Sequence, residues 1–210
     1  MKNDTRIPRT IHYIWVGGNP KPDSVNKYIE TWKKYCPDYE IKEWNEKNYD
    51  VTKNRYCREA YEAKKWAFVT DYMRLDILDK EGGIYMDSDV EILKNLDNFL
   101  NEPAFSSFEA GDPTNIFLPT GMMGSEKGGA WVKYLKSYYD KDRSFYKENG
   151  QPDTTTNTNI ITNMTEKKYG IKLNNKLQKF EDFTMFPSDY FCPKSWSTGD
   201  IKLTKYIILL

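Results

Sequence analysis

Two aspartates, Asp87 and Asp89, stand two positions apart directly after the short apolar run Ile84–Met86. Side chains at positions i and i+2 of an extended chain point the same way, so these carboxylates converge where the strand ends. Close carboxylates repel each other unless a cation lies between them, and Mg²⁺ or Mn²⁺ typically binds one or two carboxylates together with substrate phosphates. The pair predicts a metal and phosphate site. A turn with two solvated acids is the alternative, and the glycine and glutamate of a calcium loop are missing.

A second candidate pair, Asp71 and Arg74, lies at i and i+3 in a segment with helical periodicity. At about 100° per residue both fall within an apolar stripe, less than about 60° from its other members, which are Ala67, Phe68, Leu75 and Leu78. A buried ion pair that fixes the register of the helix is one interpretation. The other is a polar pocket, in which arginine holds phosphate oxygens and aspartate accepts hydrogen bonds from sugar hydroxyls.

The elements that position these pairs begin with a β-rich run, Thr10–Val16, which ends in the turn Gly17–Pro20. A helix is predicted from Asp23 or Ser24 to Tyr35, followed by a strand over Tyr39–Trp44. Strand, helix and strand within so short a stretch form a βαβ unit, which predicts a parallel sheet covered by helices. In open α/β sheets ligands bind at the carboxyl ends of the strands, where Asp87 and Asp89 are expected.

The remaining pattern extends this α/β arrangement. It predicts a helical stretch over residues 55–80 with a break near Lys64-Lys65, and short strand-like pieces from Gly170 onward. Between these regions further strands are predicted over Ile84–Met86, Val90–Leu93, Ala104–Phe108 and Gly121–Gly124, and helices over Lys127–Tyr139 and Asn157–Glu166. We expect a single α/β domain over residues 1–210, with a mixed, mostly parallel central sheet flanked by helices.

Composition narrows the possible partners. Lys+Arg and Asp+Glu number 31 each, so the net charge is zero, whereas nucleic-acid binding usually needs a basic excess. The chain contains no apolar stretch of the ~18 residues that span a bilayer, and Met1–Arg9 lacks the apolar core of a secretory signal. Three cysteines without a CxxC pair favour a reducing compartment and argue against a zinc site. We expect a cytoplasmic protein, with peripheral contact to the inner membrane face left open.

Two segments, Trp66–Asp89 (WAFVTDYMRLDILDKEGGIYMDSD) and Ile7–Gly18 (IPRTIHYIWVGG), closely resemble glycosyltransferase family 32. The resemblance covers roughly residues 7–200. It implies a GT-A fold with a Rossmann-like nucleotide-binding part, in which residues 7–100 bind the donor and residues 101–200 face the acceptor. It further implies a metal-dependent retaining transfer of a hexose from a UDP-sugar to a polysaccharide or lipid-linked oligosaccharide, in bacterial capsule or exopolysaccharide synthesis.

The resemblance also implies a role for each residue of the two pairs. Asp71 and Arg74 match the residues that hold the hydroxyls and the diphosphate of the donor. Tyr85 matches an aromatic residue near the donor, and Asp87 matches the acid that contacts the ribose and the sugar. Asp89 matches the direct ligand of Mn²⁺ or Mg²⁺, with Asp87 as a second candidate ligand.

Two residues of the first predicted strand have different expected roles. Trp15 matches the tryptophan that stacks on the base of the donor, although from the residue pattern alone it is equally a core aromatic. His12 alternates onto the opposite face of the strand, and we interpret it as a structural residue.

The match to the family fails at the C-terminus. Capsular members usually continue after the segment Ser195–Thr204 with a His-His…Ser-Trp block that reaches back to the metal and phosphate. This chain continues instead as KYIILL, and its single histidine is His12. We therefore treat residues 201–210 as an atypical tail and expect weakened donor binding with reduced turnover. A non-catalytic sugar-nucleotide-binding relative is the alternative.

Other interpretations concern single motifs. The run of an apolar strand followed by DSDV superficially fits a haloacid-dehalogenase-type phosphatase, but that fold places the motif after its first strand, and 86 residues precede it here. The loops Leu118–Gly124 and Asp153–Thr158 either face the acceptor or serve as a connection and a helix cap.

Overall fold

A computed structural model of the chain describes residues 5–109, 111, 116–140, 142–195, 198–201 and 206–209. Its helices are α1 (Asp23–Tyr35), α2 (Arg55–Glu62), α3 (Trp66–Glu81), α4 (Ala130–Lys136), α5 (Asn157–Tyr169) and α6 (Ser188–Phe191). Its strands are β1 (Thr10–Ile14), β2 (Glu40–Trp44), β3 (Gly83–Met86), β4 (Val90–Ile92), β5 (Ala104–Ser107), β6 (Met122–Ser125), β7 (Gln178–Lys179), β8 (Thr184–Phe186) and β9 (Ile207–Leu209). Single 3₁₀ turns lie at Asp97–Phe99 and Ser137–Tyr139.

Seven strands form one sheet in the order β2-β1-β3-β6-β5-β8-β7. Strand β1 pairs in parallel with β2 and β3, and β5 pairs in parallel with β8. Strand β6 runs antiparallel to both of its neighbours, and β7 runs antiparallel to β8. The predicted α/β fold with a mixed sheet is confirmed. Since β1, β2, β3, β5 and β8 all point the same way, their carboxyl ends share one edge of the sheet, where β6 begins.

The sheet separates two apolar cores, and β3 contributes to both. Tyr85 belongs to the core that includes α3 and α4, whereas Ile84 and Met86 belong to the core that includes α1. This alternation is the period-two pattern of a strand that is buried on both faces. Its consequence for the site is that Tyr85 faces α3, the helix that carries Asp71 and Arg74.

The passage from α3 into β3 depends on two glycines. Gly82 and Gly83 have φ angles of +70° and +101°, which L side chains rarely adopt. A Cβ on Gly83 would lie 2.7 Å from the carbonyl oxygen of Thr10 and 2.7 Å from Nε2 of His12. The absence of a side chain at Gly83 lets β3 run directly beside β1, and α3 lies against both strands.

The helix predicted over Lys127–Tyr139 is shorter in the structure. Helix α4 begins only at Ala130, because Gly128 has a φ of +71° and Gly129 is the N-cap. Beyond Lys136 a single 3₁₀ turn replaces the last helical turn. The break predicted near Lys64-Lys65 is confirmed, since Lys64 has a φ of +55° between α2 and α3.

The C-terminal tail contributes a strand in the part that the structure describes. Strand β9 pairs antiparallel with β4, with Leu209 opposite Val90 and Ile207 opposite Ile92. The ring of Tyr206 stacks on that of Tyr190, with centroids 5.6 Å apart. The backbone of this tail is therefore hydrogen-bonded to the strand that follows the paired aspartates. None of the helices in the described ranges is both long and apolar enough to cross a membrane.

Candidate active site

Four of the predicted site residues meet around the guanidinium group of Arg74. Its Cζ atom lies 4.7 Å from the centre of the Tyr85 ring. Nη2 lies 3.3 Å from Oδ1 of Asp71, and Nη1 lies 3.4 Å from Oδ1 of Asp87. The Tyr85 hydroxyl donates a hydrogen bond of 2.7 Å to the same Asp87 oxygen. We call Asp71, Arg74, Tyr85 and Asp87 the Arg74 cluster.

Arg74 is 5% exposed, and neutral oxygens hold it in place. Nη1 donates to the carbonyl oxygen and to Oγ1 of Thr120, at 2.7 and 2.9 Å. Nε and Nη2 donate to the carbonyl oxygen and to Oγ1 of Thr70, both at 3.1 Å. Charge-assisted hydrogen bonds are usually about 2.7–2.9 Å long, so the two carboxylates lie beyond a strong bond. The guanidinium is therefore a fixed positive charge that its own acids neutralise only loosely.

Asp71 is buried without a tight ionic partner. Burial raises the pKa of its carboxyl from 3.8 to about 6, against the opposing charge of Arg74 and with a further increase from Asp87. A hydrogen bond from Asn157 lowers the pKa in part. Buried acids with raised pKa values beside a specific charge are typical of functional sites, although structural networks also produce them.

The sequence analysis did not name three residues of the surroundings, Thr120, Tyr139 and Asn157, although Thr120 and Asn157 lie in the two loops that it singled out. Nδ2 of Asn157 donates to Oγ1 of Thr120 at 3.3 Å, and its Oδ1 accepts from the Tyr139 hydroxyl at 3.0 Å. Asn157 begins α5, whose N-cap Thr156 accepts a hydrogen bond from the backbone of Asn159. Both loops singled out earlier thus reach the Arg74 cluster, and the second one is a helix cap as well. No local pattern distinguished these three residues from ordinary polar ones.

Asp87 and Asp89 lie in the turn that follows β3, at the carboxyl edge of the sheet. The backbone N–H of Asp87 donates to the carbonyl oxygen of Gly121 at 2.8 Å, which ties this turn to the start of β6. Asp89 is exposed, and no side chain in the described part of the chain donates a hydrogen bond to it. Desolvation on its protein side and the charge of Asp87 raise the pKa of Asp89.

This pair of acids fits a hard divalent cation. Carboxylate oxygens are the ligands that Mg²⁺ and Mn²⁺ prefer, and Asp89 has no competing partner among the described residues. Within the described ranges, no group of three or more His, Cys, Asp or Glu residues converges to hold a metal. An ion at Asp87 and Asp89 would therefore complete its coordination with water and ligand phosphates, which is the usual behaviour of Mg²⁺.

Trp15 directly follows β1 and lies at the same edge of the sheet, one strand away from Asp87. Its indole N–H donates to the carbonyl oxygen of Asn19 at 2.7 Å, which orients the half-buried ring. A Cβ on Gly17 would lie 2.7 Å from Cε2 of Trp66, so this turn packs against the first residue of α3. Among the described contacts, none joins Trp15 to the Arg74 cluster. Its ring packs against the core that includes α1, whereas Tyr85 belongs to the core that includes α3, and its expected role stays a prediction.

His12 is fully buried and has both ring nitrogens occupied. Nδ1 accepts from the indole N–H of Trp44 at 3.0 Å, so Nε2 carries the proton and donates to the carbonyl oxygen of Gly82 at 2.8 Å. Burial lowers the pKa of this imidazole. The histidine is therefore a neutral link between β1, β2 and the end of α3, as its position on the strand predicts.

Part of the C-terminal departure from the family pattern lies outside the described residues. These are residues 196–197, 202–205 and 210, which include half of the segment Ser195–Thr204. What is described is that β9 lies beside β4, directly after Asp89 in the chain.

Residues 22–106 match a family model described as "Glycosyltransferase sugar-binding region containing DXD motif". The matched stretch runs from α1 to β5 and includes the whole Arg74 cluster together with Asp89. Trp15 precedes it, and Thr120, Tyr139 and Asn157 follow it.

Two relatives extend the likeness. An uncharacterized glycosyltransferase of Acanthamoeba polyphaga mimivirus is 30% identical over 160 residues, which are 72% of this chain and 61% of the viral protein. The subversion of eukaryotic traffic protein A of Legionella pneumophila is 28% identical over 114 residues, 41% of this chain and 18% of that protein. The chain thus spans about three fifths of the first relative and less than a fifth of the second.

Among solved structures, the PaToxG glycosyltransferase superposes with a TM-score of 0.55 at 17% identity, covering 78% of this chain and 70% of that one. At this identity the likeness concerns the fold alone. It agrees with the strand order and the helices around the sheet, and the predicted GT-A fold is confirmed. The matched region and the relatives make this chain similar to glycosyltransferases with a DXD-type sugar-binding region.

Proposed function

We propose that this chain is a metal-dependent, retaining glycosyltransferase that moves a hexose from a UDP-sugar to a glycan acceptor. The observation that carries the proposal is the Arg74 cluster, a fixed guanidinium with two acids at 3.3 and 3.4 Å, next to the exposed Asp89. Such a site offers positive charge and metal ligands for a diphosphate, together with hydrogen-bond acceptors for sugar hydroxyls. Residues 7–100 would bind the donor and residues 101–200 the acceptor.

In this proposal each acid has a separate task. Asp89, together with Asp87, would hold Mg²⁺ or Mn²⁺, and the ion neutralises charge on the diphosphate as a Lewis acid. Asp87 also contacts the ribose and the sugar. Asp71 accepts hydrogen bonds from sugar hydroxyls, and Trp15 stacks on the uracil base.

Arg74 stabilises the negative charge that grows on the departing diphosphate. Thr120, Thr70 and the face of the Tyr85 ring already hold its guanidinium in one position. A hydrogen-bond donor that is oriented before the reaction needs no reorganisation as negative charge develops, and this is a large source of electrostatic catalysis. The acceptor hydroxyl attacks from the same side as the leaving group, which is the stereochemistry that the family resemblance implies.

A second candidate is a non-catalytic binder of sugar nucleotides. The same site supports it, because the Arg74 cluster and Asp89 would hold a sugar nucleotide whether or not transfer follows. Synthesis of a bacterial capsule or exopolysaccharide, a lipid-linked oligosaccharide acceptor and a place in the cytoplasm at the inner membrane face remain proposals from that resemblance.

Calorimetric titration of UDP, with and without Mn²⁺, tests the donor site. We expect binding that requires Mn²⁺ and that weakens at least about tenfold in Asp89→Asn and Arg74→Lys, the equivalent of about 1.4 kcal/mol. The exposed Asp38→Asn is the matched control and should bind as the wild type does. Failure of the wild type to bind UDP under any condition would reject the proposal. Release of free sugar from UDP-glucose or UDP-galactose then separates an enzyme from a binder.

A further inference from the structure

A second group of polar side chains lies beyond the Arg74 cluster, in the segment after α4. The guanidinium of Arg143 stacks on Tyr138, with Cζ 3.8 Å from the centre of the ring. Its Nη2 donates to the Tyr138 hydroxyl and, at 3.2 Å, to Oδ2 of Asp153. Nε of Arg143 is buried and has no hydrogen-bond partner in the described part of the chain. We call Tyr138, Arg143 and Asp153 the outer subsite.

One buried donor of the outer subsite, Nε of Arg143, has no hydrogen-bond partner among the described residues. A buried N–H without a partner costs free energy, and native structures rarely keep one unless a ligand or water completes it. The Arg143 side chain is 34% exposed and Asp153 is 16% exposed, so a ligand can approach the outer part of this pair, whereas Nε itself is buried. This planar fork and carboxylate offer donors and acceptors side by side, as the neighbouring hydroxyls of a sugar ring require.

Direct contacts connect the outer subsite with the Arg74 cluster. Thr120 accepts from Arg74 and also from Asn157, which in turn accepts from the Tyr139 hydroxyl. The Tyr139 and Tyr138 rings meet nearly at right angles, with centroids 5.0 Å apart. The two groups are therefore joined by a chain of direct contacts.

Tyr56 of α2 stands between the two groups. Its ring packs against Tyr139 and Phe145, with centroids 4.8 and 5.5 Å apart. Its hydroxyl makes no hydrogen bond to any described residue, although the charges of Asp71, Asp153 and Arg143 all act on it. A phenol hydroxyl is rarely left without a partner in a buried place, so this one is available to a ligand that extends from Asp71 to the outer subsite.

We propose that the sugar pocket extends from Asp71 past Tyr56 to the outer subsite, and that these residues select which sugar is accepted. The inference rests on the proposed function, because it takes Asp71 as the residue that meets the donor sugar. The ligand group is the hydroxylated ring of the transferred sugar. Arg143 and Tyr56 donate to its outer hydroxyls, and Asp153 accepts from them.

The test compares UDP with UDP-glucose, UDP-galactose and UDP-N-acetylglucosamine by calorimetry in the presence of Mn²⁺. We expect at least one sugar to bind the wild type more tightly than UDP alone. Tyr56→Phe and Arg143→Lys should reduce that gain about tenfold, which is typical for the loss of one hydrogen bond, while UDP binding stays unchanged. Arg58→Lys, an exposed residue of the same helix as Tyr56, is the matched control.

The outcomes separate the inference from the proposed function. If UDP binds but no sugar adds affinity, or if both variants keep the full gain, the outer subsite does not hold the donor sugar. If UDP does not bind the wild type at all, the proposed function fails and this inference fails with it. Tyr56→Phe removes one oxygen without a described partner, so its thermal unfolding should match that of the wild type.

Discussion

Helix α3 carries two buried aspartates in different surroundings. Asp76 is 2% exposed and accepts from the Tyr49 hydroxyl at 2.7 Å and from Lys80 at 2.5 Å, with Lys136 at 3.4 Å. Asp71 is 9% exposed, and its nearest cation, on Arg74, lies at 3.3 Å. One acid is saturated by its own protein, whereas the other lacks a tight ionic partner.

The difference shows how a structural acid and a ligand-binding acid can be told apart on one helix. The partners of Asp76 come from three elements and join α3 to α4 and to the loop after β2. The arginine beside Asp71 instead gives its short hydrogen bonds to threonines. A buried carboxylate that folding leaves without a tight ionic partner lowers stability, and such groups are typical of sites where a ligand completes them.

The largest expected effect is the loss of stability on replacing Asp76. Asp76→Ala leaves the Tyr49 hydroxyl without its acceptor and removes one of the two acids that hold Lys136, the other being Asp79. Breaking such a buried network costs up to about 3–5 kcal/mol. Urea unfolding measures the loss, with Asp71→Ala as the matched variant. Equal losses in the two variants would remove the distinction between these acids.

Asp71→Asn should have opposite effects on stability and on ligand binding. At pH 7 the ionised Asp71 is disfavoured by a pKa of about 6 against 3.8, and two units correspond to at most about 3 kcal/mol. We expect unfolding at the same or a higher temperature, together with UDP-sugar binding weakened about tenfold. A variant that is clearly less stable would identify Asp71 as a structural residue.

The raised pKa of Asp71 also predicts a weak dependence of the free energy of unfolding on pH. Between pH 4 and pH 6 the folded chain holds a proton on Asp71 that the unfolded chain has released. The stability contribution of Asp71 therefore falls as pH rises through this window and stays low above it. Thermal unfolding from pH 4 to pH 7 should show this decline in the wild type relative to Asp71→Asn. Parallel curves for the two proteins would contradict the raised pKa.

The smallest expected effect concerns the exposed partner of Asp76. The Lys80 side chain is 55% exposed, and exposed ion pairs contribute only about 0.2–1 kcal/mol. Lys80→Ala should therefore reduce the free energy of unfolding slightly. The difference between this variant and the wild type should become smaller still at high salt. A loss as large as that of Asp76→Ala would mean that Lys80, and not Lys136 or Tyr49, dominates this network.

Local patterns were enough to predict which residues meet around Arg74. Helical periodicity places Asp71 and Arg74 on one buried stripe, and the apolar run before Asp87 marks the end of a strand. The i, i+2 rule of an extended chain does not hold for Asp87 and Asp89, because they lie in a turn in which the N–H of Val90 donates to the carbonyl oxygen of Asp87. The glycine pair before β3 marks the turn that brings the helix and the strand together. These inferences need only short stretches of chain, and the distances around Arg74 agree with them.

Thr120, Tyr139 and Asn157 were not predictable in the same way. Their position depends on the order of the strands, because β6 inserts antiparallel between β3 and β5 and carries the preceding loop to Arg74. No period in the sequence encodes that insertion. The shortened α4 has a similar explanation, since only the positive φ of Gly128 shows where its first turn is lost.

The insertion of β6 has a consequence for the kinetics of folding. Strand β3 pairs with β1, from which three helices separate it in the chain, and with β6, which follows it in the chain. The hydrogen bond from the backbone of Asp87 to Gly121 likewise joins segments that are distant in sequence. Contacts between such distant segments raise the contact order and slow folding. In refolding, the capacity to bind a ligand should therefore return with the last cooperative phase, after the first helices have formed.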